Sequence, residues 1–436
     1  MARGGLLLLV IAAGVACDRQ REATRKEPLA APSSPSAASA ASVPAPSAST
    51  LAPAPKVSCQ PDTWPDYGHD ARRTSLSRSC VEGPLKLLWK AQATTPVKER
   101  PAAFEHVVAT AEGLYATGLR GKSSMLHGLD LDGKARWDHD TRTDLHFSFW
   151  PIVAHDMVGM NDDGTFFLDP ASGKMRLNLG LDSWGQMVAD KERLYWTNTW
   201  HVHGPALYLG AFSLTGEALW KKSKYGGSVP MDMMDDLGGV ALDDGAIFQV
   251  ANYKFASFSG VFSFEAATGK PRWSRNGSPV GFPSAVDGRV FVVERHRRER
   301  RLVARSQQDG AELWSTPLKG VLGAAPAVAW GLVLVGTEQG ALVALDALSG
   351  QERWRFEGGK KHTPAVGHES FVAIGANGRV VFAVGKELVL LDLLSGKERW
   401  RAEVAEAPIH SPILSGNRVY AVAGGDILAF ESTSVD

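Results

Sequence analysis

The chain has 436 residues, of which 44% are hydrophobic and 22% charged, and its 47 Lys and Arg residues balance 47 Asp and Glu residues. A formal net charge of zero excludes the whole-molecule attraction to polyanions on which non-specific nucleic-acid binders depend, so no nucleic-acid partner is expected. Length alone predicts two or three domains of ~100–200 residues, unless a repeat architecture lets one domain grow.

The first 16 residues have the order of a secretory signal peptide. Arg3 precedes an apolar run at residues 6–13, and small residues follow it. That run is shorter than the ~20 residues of a membrane-spanning helix, and no later segment reaches this length. Cys17 comes next and resembles the acylated cysteine of bacterial lipoproteins, although Gly14 stands where leucine is usual. We expect lipidation at Cys17; the alternative is a plain secretory signal whose removal discards Cys17.

Residues 17–56 predict a disordered tether. From residue 29 to residue 55 the sequence is almost entirely Ala, Pro and Ser. Side chains this small cannot bury enough surface to offset the conformational entropy lost on folding. The lipidated cysteine would therefore be joined to the folded body by an extended spacer.

Cys59 and Cys80 are the two remaining cysteines. In a secreted chain a disulfide between them is the favoured interpretation, and two unpaired thiols are the alternative. The sequence has no C-x-x-C motif and no adjacent cysteine pair, which argues against thiol redox chemistry and against a zinc knuckle.

One short phrase recurs along the rest of the chain: an apolar strand, a polar residue, a tight turn, Gly and, four positions later, Trp. In the copy at residues 344–354, Asp346 and Ser349 can hydrogen-bond turn amides, and Gly350 can adopt the positive φ that the turn needs. We expect the tryptophans to be structural and to pack between neighbouring sheets. They are Trp137, Trp220, Trp273, Trp314, Trp354 and Trp400, and Leu177 occupies the same position in one degenerate copy.

The phrase recurs every ~44 residues, which is the period of a four-stranded propeller blade. After Trp400 the chain offers three further strands and no Trp strand. The strand that ends near Trp89 has no three strands before it and can supply the missing fourth, which removes exposed sheet edges. The sequence therefore predicts an all-β fold, an eight-bladed β-propeller of four-stranded antiparallel blades at residues 57–436.

These residues resemble the pyrroloquinoline-quinone-type (PQQ-like) repeat, whose signature A-x-D-x-x-[ST]-G-x-x-x-W is matched in full at residues 344–354. Residues 64–75 are similar to the entry segment of such propellers. The repeat occurs in quinoprotein dehydrogenases and in cofactor-free lipoproteins similar to the outer-membrane assembly factor BamB. The dehydrogenase resemblance implies calcium, a catalytic Asp and a quinone held against an adjacent-cysteine disulfide. Because no two cysteines are neighbours here, we expect no cofactor and no quinoprotein catalysis.

Two other features are candidate sites. His201 and His203 are two positions apart, so on a strand both rings would face one side, which makes them weak candidates for metal ligands. No third ligand can be named, and two surface histidines are the alternative. Residues 294–301 form a concentrated basic segment between two apolar stretches, and a solvated hairpin tip is its simplest interpretation. A docking patch for an acidic partner or a lipid headgroup is the alternative, formed by Arg295, Arg297, Arg298, Arg300 and Arg301.

Together these features predict a non-catalytic lipoprotein of the bacterial cell envelope with a monomeric body. It would face the periplasm or the cell surface, reach the membrane through its N-terminal anchor and act as a scaffold for envelope proteins. The alternative is a binder of a small ligand or sugar in the propeller funnel, and a quinoprotein dehydrogenase is the third possibility.

Overall fold

The computed structural model describes residues 58–93, 96–97, 100–101, 103–121, 123–144, 150–162, 164–180, 184–200, 208–223, 234–236, 239–253, 259–297, 299–359 and 372–432. Within these ranges all regular elements are β-strands. No helix in them is long and apolar enough to cross a membrane.

Among the described residues the strands form a two-stranded ribbon and eight larger antiparallel sheets, which are numbered here as blades 1 to 8. The chain enters through Lys86–Gln92 (β1), followed by a ribbon of Pro96–Val97 (β2) and Arg100–Pro101 (β3). Blade 1 contains Ala103–Ala109 (β4), Leu114–Arg120 (β5), Ser123–Leu129 (β6) and Ala135–Asp144 (β7). Blade 2 contains Ile152–Ala154 (β8), Met157–Asp162 (β9), Gly164–Leu168 (β10) and Met175–Asn178 (β11). Blade 3 contains Trp184–Ala189 (β12), Arg193–Trp200 (β13), Tyr208–Ser213 (β14) and Ala218–Ser223 (β15).

The second half repeats the pattern. Blade 4 contains Met234–Asp236 (β16), Val240–Asp243 (β17), Ala246–Tyr253 (β18), Gly260–Glu265 (β19) and Pro271–Asn276 (β20). Blade 5 contains Pro279–Val286 (β21), Arg289–His296 (β22), Glu299–Ser306 (β23) and Glu312–Pro317 (β24). Blade 6 contains Ala327–Ala329 (β25), Leu332–Gly336 (β26), Ala341–Asp346 (β27) and Glu352–Glu357 (β28). Blade 7 contains Val372–Ile374 (β29), Arg379–Val384 (β30), Glu387–Asp392 (β31) and Glu398–Glu403 (β32). Blade 8 contains Ile409–Ser415 (β33), Arg418–Ala423 (β34) and Asp426–Glu431 (β35), and β1 completes it.

The ring closes by joining the two ends of the folded region, as the sequence predicts. Strand β1 pairs antiparallel with β35, from Lys86 opposite Glu431 to Gln92 opposite Asp426. The first strands of blades 8 and 1 are in contact, as are first strands of other successive blades. The prediction of an eight-bladed propeller with a composite closing blade is therefore confirmed.

Each blade is packed between two others, so its inner strands are apolar on both faces and only its outer strand is exposed. In blade 7 the strand β30 is buried from Val380 onward, whereas most residues of the outer strand β32 are exposed or half-buried. The largest apolar cluster joins residues of blades 7, 8 and 1. The core therefore consists of apolar layers between neighbouring blades. Functional sites are then expected at the axis and at the rim.

The blade tryptophans bridge from one blade to the next. In six of these tryptophans the indole Nε1 donates to a turn carbonyl of the following blade at 2.8–3.1 Å, and that blade's turn glycine lies on the indole ring. In the turn of blade 6, Asp346 accepts hydrogen bonds from the amides of Leu348 and Ser349, and Gly350 has a φ of 71°. Leu177 packs on Gly216 where the other copies have Trp. The Nε1 donors are Trp89, Trp137, Trp220, Trp273, Trp314 and Trp354, while Trp400 packs near Gly83.

Candidate functional site

The basic segment is a hairpin whose strands are longer than the sequence suggests. Strands β22 and β23 run through most of it, to His296 and from Glu299 onward. The buried carboxylate of Glu294 lies 3.1 Å from Arg301 and 2.6 Å from Arg305, and Arg301 also lies 3.3 Å from Glu312. Acidic partners therefore offset part of the positive charge of this hairpin.

The other described members of this patch are Arg295, Arg297 and Arg300. Arg300 donates to the carbonyl of Val321 at 2.9 Å, and Arg297 lies at the exposed tip with a φ of 57°. Arg298 lies outside the described residues, as do Cys17, His201 and His203. The docking role of the hairpin, the lipidation and the histidine site therefore stay predictions.

Cys59 and Cys80 form a disulfide with an S–S distance of 2.00 Å, so the favoured interpretation of the two cysteines is confirmed. The bond encloses residues 62–79, which we call the axial segment. The two cysteines are 21 positions apart. These two cysteines therefore do not fit the disulfide between adjacent residues against which a quinone would be held.

The axial segment is hydrogen-bonded to all eight blades. In seven blades these hydrogen bonds lie at or next to the end of the innermost strand. In blade 3 the bond is to a carbonyl two residues before the end of that strand. Trp64 exchanges two backbone hydrogen bonds with Ala109 of blade 1, at 2.8 and 2.9 Å. The remaining blades bond to it through Val153, Met187, Leu242, Ala285, Val328, Ile374 and Gly416, in order from blade 2 to blade 8. One short segment therefore covers the end of the propeller axis at which the innermost strands end.

Arg73 anchors the axial segment and is fully buried. Its guanidinium donates to the carbonyls of Val240 (3.2 Å), Tyr67 (2.5 Å) and Met187 (2.8 Å), and it forms an ion pair with Asp66 at 2.8 Å. Burial raises the pKa of Asp66 to about 6, although Arg73 acts to lower it. A buried guanidinium with this many acceptors fixes the segment against blades 3 and 4.

Aromatic side chains fill the axis beneath this segment. The ring of Tyr67 lies 4.4 Å from that of Phe282 and 5.0 Å from that of Trp150, and Trp150 stacks on His106 at 4.4 Å. His106 belongs to blade 1 and Phe282 to blade 5, which lie opposite each other in a ring of eight. This chain of contacts therefore crosses the axis and blocks it from that end.

Two open grooves flank the closing strand β1 at the rim. The larger, of about 910 Å³, lies between blades 7 and 8, and its floor includes Leu428 and Phe430. Leu87, whose exposed fraction is 47%, lines it from β1. Three carboxylates and one ammonium also line it: Glu403, Glu406, Asp426 and Lys90. The smaller groove, of about 550 Å³, lies between blades 8 and 1. We call them the 7–8 groove and the 8–1 groove.

The sequence indicates residues 64–75 as an entry segment, but it indicates neither their position over the axis nor the grooves. Two of the carbonyls that accept from Arg73, those of Val240 and Met187, are more than a hundred positions away, and a carbonyl has no signature in a sequence. The available signal was the resemblance of residues 64–75, which include Arg73, to an entry segment. The grooves form where the two ends of the chain meet, so their residues belong to distant parts of the sequence.

The comparisons with known proteins agree with this architecture. The family described as outer membrane protein assembly factor BamB matches residues 258–435. No curated protein sequence matches the chain. A europium-containing methanol dehydrogenase is similar in structure with a TM-score of 0.65 and 13% identity, over 85% of this chain and 98% of that chain. BamB from Moraxella catarrhalis is similar with a TM-score of 0.54 and 15% identity, over 80% of this chain and 100% of that chain.

Quinohemoprotein alcohol dehydrogenase from Comamonas testosteroni is also similar, with a TM-score of 0.63 and 14% identity, over 87% of this chain and 82% of that chain. Identities this low show the fold alone, and that fold is shared by scaffold and enzyme. Together with the repeat signature, the ring of eight blades and the family match, they confirm the expected resemblance. The chain is a PQQ-like repeat β-propeller similar to BamB.

Proposed function

We propose that this protein is a non-catalytic scaffold of the bacterial cell envelope that holds partner proteins in the 7–8 groove. Its body would be monomeric and tethered to a membrane through lipid on Cys17. The observation that carries the proposal is the groove itself, which combines an exposed leucine, an apolar floor and a negatively charged border.

The chemistry of the groove defines the partner. Three carboxylates face one ammonium, and that ammonium, on Lys90, is already paired with Asp426 at 2.7 Å. Strand β1 pairs with β35 on one side and, within the described residues, with no strand on the other. An extended segment can add to such an edge. The occupant is therefore an extended basic segment of another envelope protein, with an apolar side chain that covers Leu87.

The closed end of the axis and the spacing of the cysteines support a scaffold over the two alternatives. The axial segment and the chain of aromatic rings prevent a funnel ligand from entering at one end of the axis. A quinoprotein dehydrogenase of the related type needs adjacent cysteines, and Cys59 and Cys80 are already joined to each other across 21 positions. Addition of quinone and calcium is expected to give no dye-linked alcohol oxidation, and such oxidation would overturn the non-catalytic assignment.

Charge reversal tests the groove. The double substitution Glu403→Lys and Glu406→Lys is expected to lower recovery of crosslinked envelope proteins about tenfold, because like charges at the border repel a basic segment. Glu357→Lys is the matched control, since Glu357 ends the outer strand of blade 6 as Glu403 ends that of blade 7. Equal recovery from the double variant and the control would contradict this proposal.

Lipid anchoring has its own test. Mass spectrometry of the mature N-terminus is expected to find an acylated Cys17. A free N-terminus beyond Cys17 would show that the tether carries no lipid.

A further inference from the structure

We propose that the 8–1 groove is a binding site for a small organic carboxylate, recognised by His127 together with Lys134. The groove has about 550 Å³, a volume typical of small-molecule sites. Phe104 and Leu129 give it an apolar wall, whereas His127, Asp138 and Lys134 give it a polar one. This site is separate from the 7–8 groove and does not depend on the scaffold function.

His127 is held in a defined orientation. Its Nδ1 lies 2.7 Å from a carboxylate oxygen of Asp138, whose second oxygen accepts a hydrogen bond from Arg120 at 2.7 Å. The ring of Phe104 meets the imidazole edge-on at 5.0 Å. Asp138 occupies Nδ1, so Nε2 is the ring nitrogen that is left to face a ligand.

Nε2 of His127 is the unexplained feature of this cluster. The side chain is 6% exposed, Nε2 is covered, and no described residue hydrogen-bonds to it. A buried polar atom without a partner costs free energy that a bound ligand can recover. The imidazole is part of the lining of the groove, so a ligand seated there lies beside this ring.

The repeat itself shows that the fold does not need this pair. His127 is three positions before the turn residue of its blade and lies opposite Asp138, which directly follows the blade tryptophan. In the other seven blades the position of His127 holds Phe, Gly, Val or Leu, and the position of Asp138 is never acidic. The corresponding pairs are Phe166–Asn178, Gly210–Lys221, Phe262–Ser274, Val303–Ser315, Val343–Arg355, Val389–Arg401 and Leu428–Lys90.

The charges select an anion. Arg120 offsets the carboxylate of Asp138, and Lys90 is paired with Asp426. Lys134 follows the turn glycine and adds an exposed ammonium to the groove border. A carboxylate can therefore lie beside the ring of His127 and bond to the ammonium of Lys134 while its apolar body covers Phe104 and Leu129.

Benzoate is the probe, and benzamide is its uncharged isostere. In ¹⁵N-histidine-labelled protein, benzoate is expected to shift the Nε2 resonance of His127 in a saturable manner, with benzamide about tenfold weaker because it lacks the charge. Lys134→Ala is expected to weaken benzoate binding about five- to tenfold, whereas Lys397→Ala, at the same turn position of blade 7, leaves it unchanged.

His127→Phe keeps the test independent of folding, because Phe166 and Phe262 occupy the same position in blades 2 and 4. This variant is expected to fold and to lose benzoate binding measured by calorimetry. No shift of the His127 resonance, or equal shifts with benzoate and benzamide that Lys134→Ala does not alter, would show that the pair is structural only and overturn the proposal.

Discussion

At the scale of single residues, Arg73 has the largest expected effect on stability. It is fully buried, and its removal leaves three carbonyls and the Asp66 carboxylate without their donor. Arg73→Met is expected to lower the free energy of unfolding by about 3–5 kcal/mol in urea denaturation. Arg72→Met, which removes only an exposed pair with Asp70, is the control and should cost less than about 1 kcal/mol. Equal losses would show that Arg73 does not anchor the axial segment.

His410 gives the fold a pH dependence. Burial lowers its pKa to about 4, from about 6.5 in the unfolded chain. Between these values the unfolded chain takes up a proton that the folded state does not, so stability is full above about pH 6.5 and falls as the pH drops towards 4. At 1.36 kcal/mol per pKa unit the loss is about 3 kcal/mol.

His410→Gln is expected to remove this loss, measured as the difference in unfolding free energy between the variant and its parent at each pH. The comparison is needed because Asp66, whose pKa is raised, stabilises the folded state in the opposite sense as the pH falls through 6. His296→Gln, at an exposed position, should follow the parent curve. A variant as sensitive to acid as the parent would contradict the role of His410.

Residues that repeat could be predicted from the sequence, and those that act once could not. The tryptophans and turn glycines recur at a fixed spacing, so the sequence predicts that they share one structural environment. Arg73 and His127 each occur in one copy. The carbonyls of Val240 and Met187 reach Arg73 only when the ring closes, and Asp138 meets His127 only through the register of β6 and β7.

At the scale of elements, the contact between turn glycine and tryptophan joins each blade to the next. A Cβ added at Gly396 would lie 2.6 Å from the ring of Trp354, whereas one at Gly288 would meet nothing within 4 Å. Both glycines have positive φ, 67° and 72°, so each alanine substitution carries the same backbone strain, about 1 kcal/mol. Gly396→Ala is expected to cost about 1–3 kcal/mol more than Gly288→Ala in thermal or urea unfolding. Equal costs would show that the blades do not depend on this contact.

The axial segment is the element that the disulfide secures. Serine at both Cys59 and Cys80 is expected to lower the free energy of unfolding by about 3 kcal/mol, because the unfolded chain regains the freedom of a loop of this length. Hydrogen exchange at Leu242 and Ile374, whose amides bond to the segment, should become faster. Amides in outer strands such as β32 should keep the parent rate, and unchanged exchange at all these sites would contradict the securing role.

Strand lengths were the weakest part of the sequence-based prediction. Charged residues at 294–301 suggested a long hairpin tip, but β22 and β23 continue through them because Glu294 and Arg301 neutralise each other across the pair. Hydropathy does not show which charged residues will form ion pairs across two strands. It therefore did not predict strands in this charged segment.

At the scale of the whole molecule, joining the ends of the chain in blade 8 creates both the closure and the rim grooves. Strand β1 approaches from the N-terminal side and lies between residues of blades 7 and 1, so it borders the 7–8 groove and the 8–1 groove. The periodicity predicted the ring and its closing strand. It could not predict the grooves, because they depend on how two distant segments pack.

The most direct test of the scaffold account replaces Leu87 with a photo-crosslinking amino acid in living cells. Leu313, equally exposed on the outer strand of blade 5, is the matched control position. Position 87 is expected to capture an envelope protein through a segment rich in Lys and Arg, and Glu403→Lys with Glu406→Lys is expected to abolish this adduct. No adduct at position 87, or the same adducts at position 313, would contradict the scaffold account.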